Sequence, residues 1–225
     1  MSTPRRDFLG WLGASTVLAA TGTSLHATPV RPSPVPLQPV DAAWDMTWVD
    51  RLTATHRAVF DSPAVSEGDA LFRAVLWRDQ MKEVYGTAPA EVNAVIVIRH
   101  EAIPLAMNDA YWERYKIGKD VKLKDPRTKK WTTINPIRAT PPDTPAKWAD
   151  YSLERFIAQG GTVLACNLAF GEVVYRVRTE DKLKTREEAV ARAKEMLIPG
   201  IILQPSGIFA ALRAQEAGCH YIMAS

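Results

Sequence analysis

Asn93-Ala94-Val95-Ile96-Val97-Ile98, followed directly by Arg99-His100-Glu101, is the stretch on which the fold turns. Its nearly continuous apolar run lacks the alternation of a strand with one wet face. It is the pattern of a strand buried on both faces, and such strands belong to parallel sheets covered by helices. Upstream, His56-Arg57-Ala58-Val59-Phe60 is a shorter run that closes at Asp61-Ser62-Pro63. Between the two, Ser66 is a candidate N-cap for an amphipathic helix carried by Ala70, Leu71, Ala74, Val75 and Met81 to about Tyr85-Gly86.

Downstream the alternation continues. Residues 103–115 read as helical with Pro104 in the first turn, and 151–159 as a helix stopped by Gly160-Gly161. Thr162-Val163-Leu164-Ala165-Cys166 is another buried strand, followed by a helix over 168–178. Thr185 caps a helix over 186–197, with Glu188 completing a capping box. Gly200 to Gln204 is a fourth strand, Ser206 starts a helix over 207–217 that Gly218 ends, and His220 to Met223 is a short last strand. Strand–helix alternation of this kind predicts an α/β domain over 44–225, with a parallel sheet covered on both faces.

One segment breaks the alternation. Residues 118–147 are rich in lysine and proline, and Val121–Leu123 and Trp131–Ile134 are placed to pair as a hairpin around Asp125-Pro126-Arg127-Thr128. Long stretches without helix are usually lids, interface arms or disordered. The lysines here read as a solvated face rather than a binding patch.

The N-terminus has a different character. Thr3-Pro4-Arg5-Arg6-Asp7-Phe8-Leu9 places paired arginines before a Phe-Leu pair and an apolar stretch interrupted by Gly10 and Gly13. This resembles a twin-arginine export signal over residues 1–27, with Arg5 and Arg6 as the motif that the twin-arginine translocase reads. An ordinary secretory signal carrying two arginines and an uncleaved anchor are competing readings of the same residues. Residues 28–43 follow as a linker in which Pro29, Pro32, Pro34, Pro36 and Pro39 favour extended chain. The expected location is therefore periplasmic or otherwise extracytoplasmic.

Removing residues 1–27 takes Arg5, Arg6 and Asp7 from the 28 basic and 25 acidic residues, leaving 26 against 24. A nearly neutral chain makes no electrostatic case for nucleic acid or anionic membrane. The seven tryptophans and 47% hydrophobic content fit a globular domain. Two cysteines do not make a disulfide scaffold, and the four scattered histidines show no metal-ligand spacing, so neither metal nor cofactor is expected.

In an open parallel sheet, ligands bind beyond the carboxyl ends of the strands. Those ends carry Asp61-Ser62, Arg99-His100-Glu101, Cys166-Asn167 and Gln204-Pro205-Ser206-Gly207. Cys166 is the sharpest candidate. It lies where a strand becomes a helix, so first-turn amides point near its sulfur and favour thiolate. His100, on a strand expected next to it, is a candidate partner. Asp61, Glu101, Asn167, Gln204 and Ser206 complete the candidate pocket. Four of the candidates have a plainer reading: Cys166 as a small buried hydrophobe, His100 as a satisfied strand-end residue, Glu101 as a salt-bridge group, Ser206 as an N-cap. Cys219 opens the last strand and should lie at the opposite end of the sheet, out of disulfide reach of Cys166.

Three segments together resemble one family. Val95 to Pro104 resembles the strand, His, apolar helix segment of DsrE-like (DsrE/DsrF-like) proteins. Leu153 to Asn167 is similar to their helix, Gly, strand, Cys segment, and Pro205-Ser206-Gly207-Ile208 through Ile222 to their C-terminal ending. The resemblance covers roughly residues 55–225, interrupted by the 118–147 insertion, which is not a general family feature. It implies a three-layer α/β/α sandwich around a five-stranded, mostly parallel sheet, in proteins that assemble with copies of themselves. It also implies a role in sulfur metabolism, with Cys166 taking sulfane sulfur as a persulfide from a donor protein or small sulfur compound, and His100 beside it. The competing expectation is a non-catalytic protein holding a small molecule or anion in the same pocket. A thiol-dependent hydrolase or redox enzyme ranks behind both, for want of a resolving-cysteine motif or nucleophile elbow.

Overall fold

Hydrophobic runs spaced by helices assemble into one sheet of five strands, ordered β4-β3-β2-β1-β5. In a computed structural model, residues 44–138 and 151–225 are described. The strands are β1 (His56–Ser62), β2 (Val92–Ile98), β3 (Thr162–Cys166), β4 (Ile202–Gln204) and β5 (His220–Met223). Every pairing is parallel, so the sheet is fully rather than mostly parallel. The expected export signal and linker, and residues 139–147 of the insertion, lie outside the described residues.

Side chains alternate across the sheet, and this alternation builds the layers. Ala58, Phe60, Ala94, Ile96, Ile98, Val163 and Ala165 point to one face. There they meet α2 (Asp69–Tyr85), α5 (Leu153–Ala158), α6 (Asn167–Glu180) and α7 (Arg186–Glu195). Val59, Val95, Val97 and Leu164 point to the other, against Trp48 of α1 (Thr47–Asp50) and Ala210, Ala211 and Ala214 of α8 (Gly207–Glu216). The small alanines let α8 lie close to the strands. Two helical layers around a sheet make the fold a three-layer α/β/α sandwich. Each fully buried Val, Leu or Ile in these layers contributes about 1.5–3 kcal/mol relative to exposure. No helix among the described residues is long and apolar enough to cross a membrane.

Local chemistry sets the helix ends. Thr185 Oγ1 accepts from the Glu188 amide and Glu188 Oε2 accepts from the Thr185 amide, both at 3.1 Å, which is the expected capping box. Ser206 caps α8 by accepting from the Phe209 amide at 3.0 Å. Ser66 does not cap α2. It opens a short 3-10 turn, Ser66–Gly68, and Gly68 takes the cap position at φ +93°. A Cβ on Gly68 would lie 1.9 Å from Ile137, so both the backbone angle and the space demand glycine.

The expected helix over 103–115 is two pieces. His100–Ala106 is a 3-10 segment containing Pro104, Met107 is extended, and Asn108 caps α3 (Asp109–Arg114), its Oδ1 accepting from the Tyr111 amide at 3.1 Å. Pro104 has no N–H to continue an α-helix, and Asn108 offers the next start. A further short helix, α4 (Ile117–Asp120), follows.

The described part of the insertion is anchored to the core. Asn135, 1% exposed, donates from Nδ2 to the Leu105 and Met107 carbonyls at 2.8 and 2.7 Å. These bonds satisfy carbonyls left without helical partners where the chain breaks. The expected hairpin survives as one antiparallel bridge, Lys124 to Trp131.

Cys166 ends β3 while Cys219 precedes β5, with β2 and β1 between them. Three strand spacings are about 14 Å, beyond disulfide reach, and both thiols are free. Burial beside the α8 face pushes the Cys219 thiol from 9.0 up to about 11, with Arg57 pulling the other way. The folded state therefore keeps a proton that the unfolded chain loses first. Stability from this group is whole below about pH 9 and is lost as pH rises towards 11. Thermal melts should show a steeper decline across that window for the native chain than for Cys219→Ala, and parallel curves would contradict it.

Candidate functional site

The end of the β2–β3 ladder decides what stands beside the cysteine. Ile98 is the cross-strand partner of Ala165, so Arg99 and Cys166 come next on neighbouring strands. Arg99 is still extended, at φ −146° and ψ 169°. The chain then turns sharply at His100, whose φ is +51°, into the 3-10 segment. By register, the cysteine's neighbour is Arg99. His100 is exposed, one residue further on.

Cys166 is itself the N-cap of α6, and its Sγ accepts from the Ala169 amide at 3.4 Å. The strand delivers the sulfur to the first turn of the helix, where amides have no intrahelical carbonyl. Cys166 lines an open cleft of about 1020 Å³. Arg99, His100, Glu101, Ser206, Gly207, Lys122 and Leu168 line it too. With only 6% of Cys166 exposed, a reagent must enter this cleft to meet it.

Arg99 is fixed from behind. Its Nε and Nη2 donate to Asp61 Oδ1 and Oδ2, each at 2.8 Å. The Tyr221 hydroxyl donates to the same Oδ2 at 2.6 Å. Asp61 is 1% exposed, so its charge is neutralised within the protein rather than by water. Hydrogen bonding to Asp61 raises the pKa of the Arg99 guanidinium above its ordinary value, and the hydroxyl's own bond to Asp61 raises that of the Tyr221 phenol. Both remain protonated across the neutral range.

The structure thus gathers Cys166, His100, Glu101 and Ser206 in one cleft, as expected, and separates three other candidates. Asp61 is no free pocket group, because Arg99 and Tyr221 occupy its carboxylate. Gln204 is fully buried on the α1 side, donating from Nε2 to the Asp45 carbonyl at 2.9 Å. Asn167, the first residue of α6, is half-buried and outside the cleft lining. Arg5 and Arg6 lie outside the described residues. Among the described residues no group of three or more His, Cys, Asp and Glu is arranged to hold a metal ion.

Arg99 is the residue that reading the strand ends left without a role. Its signal was a basic residue and an aspartate at the ends of two adjacent strands, 38 residues apart in sequence.

No protein-family model and no curated protein matches this chain. Among solved structures it has a distant likeness to the protein of unknown function MTH1491 from Methanobacterium thermoautotrophicum. Identity is 15% and the TM-score 0.39, over 75% of this chain and 98% of that one.

Gly207 lets α8 begin against the stem of Arg99, since a Cβ there would lie 2.4 Å from Arg99 Cβ and 2.6 Å from Cδ. Helix propensity alone would make Gly207→Ala stabilising by up to about 1 kcal/mol. The close approach reverses the sign, and urea unfolding should show a loss of about 1–3 kcal/mol. An unchanged or raised midpoint would show that Arg99 yields freely.

Proposed function

We propose that this chain is an exported DsrE-like protein in which Cys166 accepts sulfane sulfur as a persulfide and passes it to a partner. The observation that carries the reading is a cysteine that caps a helix with its own sulfur and lines a cleft shared with Arg99 and His100. In the step, Cys166 sulfur attacks a sulfane sulfur of the donor and the new S–S bond forms. The donor's S–S bond breaks, and the leaving group departs with the electron pair. The Ala169 amide faces the attacking sulfur. His100, exposed on the cleft lining, is the group available to take the thiol proton.

A second reading, a non-catalytic protein holding a small anion in the cleft, is favoured by one observation, the cation Arg99 held rigid on the cleft wall. Assembly with further copies is part of the proposal. It is supported by the exposed apolar residues Tyr221, Ile222 and Met223 on edge strand β5.

Treatment of the purified protein with inorganic polysulfide should add one or more sulfur atoms to its intact mass, retained in Cys219→Ala and lost in Cys166→Ala. If no sulfur is gained, and anion-induced thermal shifts are the same in Cys166→Ala, the binding reading stands instead. Export is tested separately. Lysine at both Arg5 and Arg6 should leave the precursor in the cytoplasm, whereas undiminished export would indicate the ordinary secretory route.

A further inference from the structure

Beside the cleft of Cys166 lies a second cavity, of about 390 Å³. Ile103, Pro104, Ile117, Val121 and Val173 make its floor largely apolar, the composition of a small-molecule site. Ile103, Pro104 and Glu172 line both spaces, but Cys166 and Arg99 do not line this one. From α3, Tyr111 reaches the lining. Tyr111 is 2% exposed, yet its hydroxyl has no hydrogen-bond partner among the described residues. A buried phenol ordinarily finds one. The charged groups that act on this hydroxyl are Arg176, Glu180 and Asp120, and all three line the same cavity. Burial pushes the pKa of the phenol up while Arg176 pulls it down, so the hydroxyl stays neutral. A neutral phenol can accept an N–H as well as donate its own proton.

The charged rim is unbalanced. It carries three carboxylates, Asp120, Glu172 and Glu180, against one guanidinium, Arg176. That guanidinium is engaged by Asp120 at 2.6 Å and Glu180 at 3.6 Å, and it donates to the Tyr115 carbonyl at 3.4 Å. Glu172 has no ion pair among the described residues. Lys119 and Lys122 flank the rim in sequence, but both are exposed and off the lining, where salt screens them. Tyr175, 68% exposed, adds an aromatic face of the kind that organic cations favour.

We propose that this cavity binds a small organic ammonium ion with an apolar body, at a site separate from Cys166. The body covers the apolar floor, Glu172 balances the charge, and the Tyr111 hydroxyl accepts an N–H of the ammonium. An anion of the same shape meets surplus carboxylate, and a neutral alcohol forgoes the ion pair. The site does not depend on the persulfide reading of Cys166.

Phenethylammonium is the probe, with 2-phenylethanol and 3-phenylpropionate as its neutral and anionic counterparts. Calorimetric titration gives affinity and stoichiometry, and methyl NMR places the site. Ile117 and Val173 line this cavity alone, whereas Leu168 and Ile208 line the neighbouring cleft alone. The native chain should bind one phenethylammonium, with saturable shifts at Ile117 and Val173 and none at Leu168 and Ile208. The alcohol and the anion should bind at least about tenfold more weakly. Tyr111→Phe keeps the ring and removes only the hydroxyl, and Glu172→Gln removes the unpaired charge from an exposed position. Urea melts check that both are folded. Each should weaken phenethylammonium by about threefold or more, and Glu172→Gln should also shrink the preference over the alcohol.

No saturable shift, or shifts centred on Leu168 and Ile208, overturns the inference. So does 3-phenylpropionate binding as tightly as the ammonium, or an affinity unchanged in either folded variant. If Tyr111→Phe does not fold, Glu172→Gln and the comparison of probe charges decide.

Discussion

A carboxylate taken out of water costs several kcal/mol unless other groups replace its hydration. Asp61 is such a carboxylate, and the carboxyl-end edge of the sheet is organised around it. It belongs to β1, its cation Arg99 follows β2, and its hydroxyl donor Tyr221 belongs to β5. Three adjacent strands are therefore tied at one level by side chains as well as by the backbone ladder. The Asp61 carbonyl also accepts from the Ala224 amide at 2.8 Å, which fastens the chain after β5 to the same residue. If Asp61 moved, Arg99 would lose its direction, and the start of α8, which fits against the Arg99 stem only because residue 207 is glycine, would lose its seat.

The sheet was largely legible because its strands obey a simple physical rule. Asn93 to Ile98 and Thr162 to Cys166 are too apolar to tolerate water on either face, and so they lie in the middle of a parallel sheet. Even the three-residue β4 was marked, because Gly200 and the Pro205-Ser206 cap bound it on either side. Misreadings arose where local and tertiary preferences compete. Ser66 has the chemistry of a cap, yet the tight approach of Ile137 to residue 68 hands that role to a glycine. Pro104 is tolerated in the first turn of an α-helix, but Asn108 a few residues on offers a better start, and the chain breaks between them.

The site was legible in part, for a related reason. Position at a strand end can be read from sequence, so Cys166, His100, Glu101 and Ser206 were found together. Which groups a side chain meets is a non-local fact. Nothing near Asp61 announces that its partners stand 38 and 160 residues away. Gln204 shows the same limit. It is the cross-strand partner of Cys166, yet its side chain is spent holding the Asp45 carbonyl ahead of α1.

The two cysteines show how the architecture divides chemical roles between like residues. Both are buried, both are free and both belong to one sheet. Cys219 lies at the amino end of its strand in an apolar cluster with Trp48 and the alanines of α8, where burial holds it as a thiol. Cys166 lies at a carboxyl end, where parallel strands hand over to the amino-terminal turns of helices and the chain can no longer close over the sheet. An amide faces its sulfur there, and a cleft opens beside it. Parallel packing alone produces this asymmetry, since it brings the starts of α6 and α8, which follow β3 directly and β4 across the α8 cap, to the same edge of the sheet. The added element is Arg99, which the ion pair with Asp61 holds in place and whose stem, packed against Gly207, lines the same cleft as Cys166.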